Sequence, residues 1–469
     1  MFRVRSPPLP PSEIGGGCRK NAYAPLLVKG GRASCDPLVR AATVTVTSTL
    51  DVIHDGTSGC AITGSGICSL RDGVIYANAH ANTIIALPAG TYVLTIWSSG
   101  SNDATTGDLN LTNTTGSTTI FGAGSDTTII DGNHIDRLFQ LSPGVTANIS
   151  GITLRNGALF GQAAGPTAGG AILNDGTVTI TGCVFAFNGI IGSTGTSGSP
   201  TGREGDGGAI ANRTGGSLTV INSTFTMNGT IGGRGVTGAP SSTGGFGGGG
   251  AGGGGRGGAA TGGALWNDGP NAIVNLTIFA NNAVAGSGGA TPGGGTGPGG
   301  AIGVGGINAP SPLQITNTII ANNLGGANCT NTLTDNEHNL EFPTNTCGFT
   351  PGAPKFDQVG DPMLGPLASN GGPTQTMAFT IGSAAINHGD NAACAGPLVG
   401  NVDQRGIARP YLVRGNCGIG AFEYNTPPSA APGVRPGPLP SGGPPAVMPG
   451  IRPGPPPVGG PPAPMPTPR

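Results

Sequence analysis

From Thr43 onward the chain alternates apolar and polar residues in short runs. Thr43-Val44-Thr45-Val46-Thr47 opens the pattern, and Thr83–Leu87, Thr91–Ile96, Thr118–Phe121 and Thr128–Ile130 continue it between Gly, Asn and Asp turns. Period-2 runs of this length predict half-buried strands. One stretch breaks the rhythm. Cys68-Ser69-Leu70-Arg71-Asp72, followed by Val74, Ile75 and Ala77, predicts a single helix to about His80. Ser69 is its N-cap, and Asp72 stands three residues on, at capping-box spacing. A helix of that length suits a lid over the end of a sheet.

Between 169 and 323 the pattern becomes a repeat. Gly-Gly-Ala-Ile/Leu begins at Gly169, Gly207, Gly262 and Gly299, and Phe-x-x-Asn follows at Phe185/Asn188, Phe225/Asn228 and Phe279/Asn282, with Ile320/Asn323 as the last copy. A nearly constant block alternates with inserts at 189–206, 229–261 and 283–298, as expected of a solenoid whose inserts leave from one side. Aligned on the Phe, the columns are Val178/Leu218/Ala272/Leu313, Ile180/Val220/Val274/Ile315 and Cys183/Ser223/Thr277/Thr318. These columns predict parallel coils in which each residue rests on its equivalent about 4.8 Å away. Phe185, Phe225, Phe279 and Ile320 then form one stack, and Asn188, Asn228, Asn282 and Asn323 an amide ladder. Asn174, Asn212 and Asn267 form a second Asn column that the fourth repeat lacks. Paired glycines permit a positive φ where each insert rejoins the spine.

Gly 92 and Pro 42 in 469 residues are far above ordinary globular usage. The inserts, mostly Gly with Ser, Thr and Pro, are accordingly expected to be flexible surface loops. Lys+Arg 21 against Asp+Glu 22 gives a net charge of −1, which excludes general attraction to nucleic acid or anionic membrane. No apolar run is long enough for a membrane-spanning helix. Of nine cysteines, Cys60/Cys68, Cys329/Cys347 and Cys394/Cys417 lie in local pairs without zinc-site spacing, and are expected to be disulfides of an exported protein. Cys183 falls in the Ser/Thr column and is expected to be a buried free thiol. Residues 1–42, which include Cys18 and Cys35, read as irregular, with no signal-peptide-like apolar core. Residues 346–425 change character and form a cap domain, and 426–469 are a Pro/Gly tail.

Three stretches carry resemblances. Cys60…Cys68-Ser69-Leu70-Arg71-Asp72-Gly73-Val74-Ile75 resembles the CSLREA-type N-terminal region of bacterial surface β-helix proteins, with Asp72 and Gly73 where Glu and Ala are usual. The Gly-Gly-Ala-Ile and Phe-x-x-Asn repeats are similar to those of the chlamydial polymorphic outer membrane proteins, which are adhesive autotransporters. Asp361-Pro362-Met363-Leu364-Gly365-Pro366-Leu367, Asn370-Gly371-Gly372-Pro373-Thr374, Asp403-Gln404-Arg405-Gly406, Arg409-Pro410 and Cys417–Glu423 resemble the choice-of-anchor Q domain. These resemblances imply a right-handed parallel β-helix on, or released from, a bacterial surface.

Parallel β-helices also carry polysaccharide lyases and hydrolases, which need paired carboxylates or acid clusters for calcium. The one constellation of that kind is Asp175 and Asp268, each after a column Asn, with Arg213 in the equivalent place between them. If each repeat is one coil, the two acids stand about 9–10 Å apart. The simpler reading is Asn-Asp-Gly turns, with Arg213 pairing to both acids. Trp266 is the lone aromatic nearby. Asp403, Arg405 and Arg409 read as an internal cap pair, and Glu204 and Asp206 as members of a mobile insert, an unsuitable place for a catalytic acid. The expectation is an all-β, right-handed parallel β-helix over 43–345, closed by an N-terminal helix cap and a C-terminal cap domain. It is non-catalytic, structural or adhesive, without metal or cofactor, and faces a cell-surface or extracellular glycan or protein. A carbohydrate-active enzyme using Asp175, Arg213 and Asp268 is the alternative.

Overall fold

A computed structural model of the chain describes residues 41–425, apart from 55–59, 61–65, 100–102, 162–166, 239–253, 280, 285–286, 291–295, 302, 331–332 and 412–414, with backbone alone at 271–275 and 277–279. The readings for 1–40, with Cys18 and Cys35, and for 426–469 lie outside the described residues.

Every coil strand is parallel to its equivalents, and the strands line up as faces of one solenoid. Such strand–crossover–strand windings take the right-handed sense. On the first face, Val44, Ile85, Ile120, Ile149, Ile180, Val220, Ile273 and Ile315 are successive register partners. On the second, Tyr92, Ile130, Leu154, Phe185, Phe225, Ile278 and Ile320 are. On the third, Leu109, Phe139, Ile172, Ile210, Leu265, Ile307 and Cys329 are. β-branched side chains dominate the first column because a pleated surface holds them in their preferred rotamers. The Phe185 and Phe225 rings stack with centroids 4.4 Å apart.

The third repeat corrects the expected register by one residue. Phe225 lies opposite Ile278, and Phe279 opposite Thr226, so Phe279 is not in the phenylalanine column. The ladder rung is likewise Asn281, not Asn282. Asn188 Nδ2 donates to Asn228 Oδ1 at 2.9 Å, Asn228 to Asn281 at 2.9 Å, Asn281 to Asn323 at 3.0 Å and Asn323 to a further rung, Asn328, at 3.0 Å. The segment Ile278-Phe279-Ala280-Asn281-Asn282 fits the motif in either frame. The frame adopted sets Asn271, Ile273, Leu276 and Ile278 in the columns where the other would set Ala272, Val274, Thr277 and Phe279, and Leu276 is fully buried. Just before two rungs, Phe187 and Met227 take the left-handed conformation at φ 59° and 56°. That costs each about 1 kcal/mol, offset by the ladder bonds. The second column stands as expected, with Asn174 Nδ2 donating to Asn212 Oδ1 at 2.5 Å and Asn212 to Asn267 at 3.0 Å.

Gly169, Gly207 and Gly262 have φ of 69°, 66° and 61°, as the corner reading requires. The fourth phrase does not belong to this column. Leu265 pairs with Ile307, which places Val304-Gly305-Gly306-Ile307 at the fourth corner and leaves Gly299 in an insert.

The ends are closed by polar groups. Ser69 caps the helix Leu70–Ala79 in a capping box with Asp72. The adjacent Arg71 is wholly buried, clasped by both Asp51 oxygens at 2.7 and 3.1 Å and donating to Ala104 O and Gly107 O. At the far end Glu341 follows Ile320 in its column and accepts from Thr346 N, Thr346 Oγ1 and Cys347 N. Disulfides join Cys60–Cys68, Cys329–Cys347 and Cys394–Cys417, and Cys183 is a buried free thiol. Beyond closing the last coil, the C-terminal segment runs back along the outside of the second face. Ile319, Ala321 and Leu340 pack there against Phe379, Ala385, Ile419 and Phe422. Gln404 accepts from Thr224 Oγ1 at 2.7 Å and donates to Cys183 O at 3.3 Å.

The inserts differ most from expectation. Their described residues are not independent loops but a bundle of side-by-side segments. Gly192, Gly195 and Gly229, Gly232, Gly235, Gly238 donate at three-residue intervals to neighbouring segments, as Gly202 with Gly205 and Gly255 with Gly258 also do. Three residues per turn is the period of the polyproline II helix, which has no internal hydrogen bonds and leaves its backbone groups for neighbours. The segments lie too close for side chains. A Cβ on Gly202 would stand 2.0 Å from Gly233 O, one on Gly233 2.0 Å from Ser193 O, and one on Gly258 2.0 Å from Arg203 O. Composition misleads here because the bundle is held by backbone hydrogen bonds instead of an apolar core.

Candidate functional site

The three residues of the carbohydrate-active alternative are not joined in one network. The Asn174–Asn212–Asn267 register places Asp175, Arg213 and Asp268 on successive coils of the third face. Arg213 Nη1 lies 3.5 Å from Asp175 Oδ1. Asp268 instead accepts from Thr214 Oγ1 and, at 2.9 Å, from Ser311 Oγ. Arg213 thus pairs with one acid, not both, because the neighbouring hydroxyls already satisfy Asp268. Trp266 is half-buried against Ala168, Leu173 and Ala211 on the same face, so much of its ring is taken up by packing.

Asp206, expected in a mobile insert, is held in place. It lies on the strand Gly205–Asp206, paired with Ala260–Thr261, and accepts from Thr261 Oγ1 at 2.5 Å. Burial pushes its carboxyl up to about 6. Near the N-terminal end, burial likewise pushes Asp108 up to about 6 despite Arg137, whose Nε is 3.5 Å from its Oδ2, and raises Asp136 beside it. In the last coil Asp357 accepts from Asn339 N at 2.7 Å and Thr350 N at 3.0 Å; burial and the nearby Asp335 push it up to about 7. Asp108, Asp136 and Asp357 are buried in the coils, and Asp206 is partly exposed. The expected Asp–Arg cap pair is present: Asp403 holds Arg405 at 2.7 Å, and the Arg405 guanidinium lies 3.7 Å from the centre of the Phe422 ring.

Raised carboxyl pKa values fix the sign of the pH dependence. Asp108, Asp206 and Asp357 hold a proton more tightly in the folded chain than at their unfolded value of about 3.9. The folded state therefore binds more protons between about pH 4 and the folded values, and stability falls as pH rises through that window. Thermal midpoints are expected to decline from about pH 4 to pH 7, and Asp357→Asn to flatten the upper part of the decline. A midpoint that rises steadily over the same range contradicts these assignments.

No family model matches the chain, and no curated protein does. Among solved structures it is similar to one described as "Crystal structure of pectate lyase Pel9A", at 13% identity with a TM-score of 0.29, over 82% of this chain and 98% of that one. The parallel β-helix is established by the strand register itself, and the surface left as the candidate site is the glycine bundle.

Proposed function

We propose that this chain is an exported, non-catalytic β-helix whose role is structural and adhesive, with the glycine bundle as its contact surface. The observation that carries this reading is the bundle: insert segments held side by side by backbone hydrogen bonds, with their glycines packed inward and Arg203, Arg234 and Arg256 exposed. Local disulfides and the resemblance to bacterial surface proteins support export. The contacts of Asp175 with Arg213, and of Asp268 with Thr214 and Ser311, also support the non-catalytic reading.

Binding of the purified chain to cells and matrix-coated surfaces tests the proposal, and failure to bind any surface removes it. Release of reducing ends from a polysaccharide panel, abolished by Asp175→Asn, would replace it with the carbohydrate-active alternative.

A further inference from the structure

Among the described residues before the C-terminal cap, the arginines divide into two groups. Arg71 in the cap helix and Arg137, Arg155 and Arg213 on the coils each lie within ion-pair distance of an aspartate. Arg203, Arg234 and Arg256, in the inserts, are exposed, and among the described residues Arg234 and Arg256 make no ion pair. The only other charged residues of the three inserts are Glu204 and Asp206, and Asp206 is turned into its bond with Thr261. The bundle brings these arginines together from separate parts of the sequence. Gly233 N donates to Arg203 O at 2.8 Å, Gly202 N to Arg256 O at 2.8 Å and Gly195 N to Arg234 O at 2.8 Å, so the three lie on adjoining segments.

We propose that this arginine-bearing part of the bundle binds a polyuronate, a polysaccharide with a carboxylate on each sugar. The inference rests on the adhesive reading and names its ligand class. Guanidinium and carboxylate match as planar forks that form two parallel hydrogen bonds. A fixed backbone holds the cations without the ordering cost that a mobile loop would incur on binding. Gly202, Gly233, Gly235, Gly255 and Gly257 beside them are buried while the arginines are exposed, so the guanidinium groups stand out from the packed segments towards a ligand. The charge is local and modest, and binding is therefore expected to be salt-sensitive.

The test uses the full chain on immobilised polygalacturonate, with dextran, dextran sulfate and duplex DNA in parallel. Polygalacturonate is expected to retain the protein at low salt and release it as salt rises, while dextran does not retain it. Arg234→Gln/Arg256→Gln is expected to weaken retention about tenfold or more, with an unchanged melting temperature because both side chains are exposed. Arg213→Gln, the same loss of charge on a coil, is expected to leave retention unaltered. Equal retention on dextran, stronger retention on dextran sulfate or DNA, or indifference to the double variant each overturns the inference. If the wild type adheres to cells and the double variant adheres equally, the inference fails while the adhesive reading stands. A wild type that adheres to nothing removes that reading itself.

Discussion

Asn281→Leu is expected to cost about 4 kcal/mol of folding stability, whereas Asn282→Leu, one residue on, is expected to cost less than about 1 kcal/mol. The pair discriminates sharply because either asparagine satisfies the motif and only one is a rung. Asn281 Oδ1 accepts from Asn228 N at 3.0 Å and Asn228 Nδ2 at 2.9 Å, while its own Nδ2 donates to Phe225 O and Asn323 Oδ1. Leucine is of similar size but can neither donate nor accept. It takes these partners from the buried Asn228 N, Asn228 Nδ2 and Phe225 O of the preceding coil, each at roughly 1–3 kcal/mol. Denaturant titration of the two variants beside the wild type reads the difference. Equal costs, or a larger cost at Asn282, would restore the register in which Phe279 stacks on Phe225.

Gly233→Val is expected to open the bundle without unfolding the coils. Its Cβ would meet Ser193 O at 2.0 Å, and that carbonyl is backbone, so the segments must separate. Trypsin reports the outcome. Arg203, Arg234 and Arg256 are exposed and none precedes a proline, yet their backbones are hydrogen-bonded to neighbouring segments. A protease needs an extended, released backbone, so the wild type is expected to be cut slowly there despite its glycine content. Gly233→Val is expected to accelerate cleavage after Arg234 by about tenfold or more, with the coil fragment persisting. Rapid cleavage of the wild type at all three arginines would restore the inserts to independent loops.

What the sequence made legible follows from which interactions leave a side-chain signature. Coil stacking does so, since an inward column must be apolar at every turn, and Ile180, Val220 and Ile315 were identifiable on that ground. The capping box at Ser69 and Asp72 and the Asn columns were legible because only a few residue types perform those tasks. The third repeat misled because Ile278-x-x-Asn281 overlaps Phe279-x-x-Asn282, and the aromatic drew attention from the frame with more aliphatic residues. The bundle was harder still, because backbone hydrogen bonds carry no side-chain code. Its one trace is glycine at every third residue, as at Gly192, Gly195, Gly198 and again Gly229, Gly232, Gly235, Gly238. The fixed placement of Asp206 beside Thr261 was hidden for the same reason. For the catalytic row, position was inferred correctly but partnership was not, since nothing in the Asn-Asp-Gly phrase foretells that Thr214 and Ser311 reach Asp268.

Amide hydrogen exchange across the inserts is the most direct measure of whether they form a fixed surface. Gly195, Gly202, Gly235 and Gly258 donate to Arg234 O, Arg256 O, Ser287 O and Gly233 O, and their amides are expected to exchange far more slowly than those of a free peptide, alongside the coil strands. Exchange of these four at free-peptide rates, while the coil amides remain protected, would contradict the bundle and remove the surface on which the proposed adhesion depends.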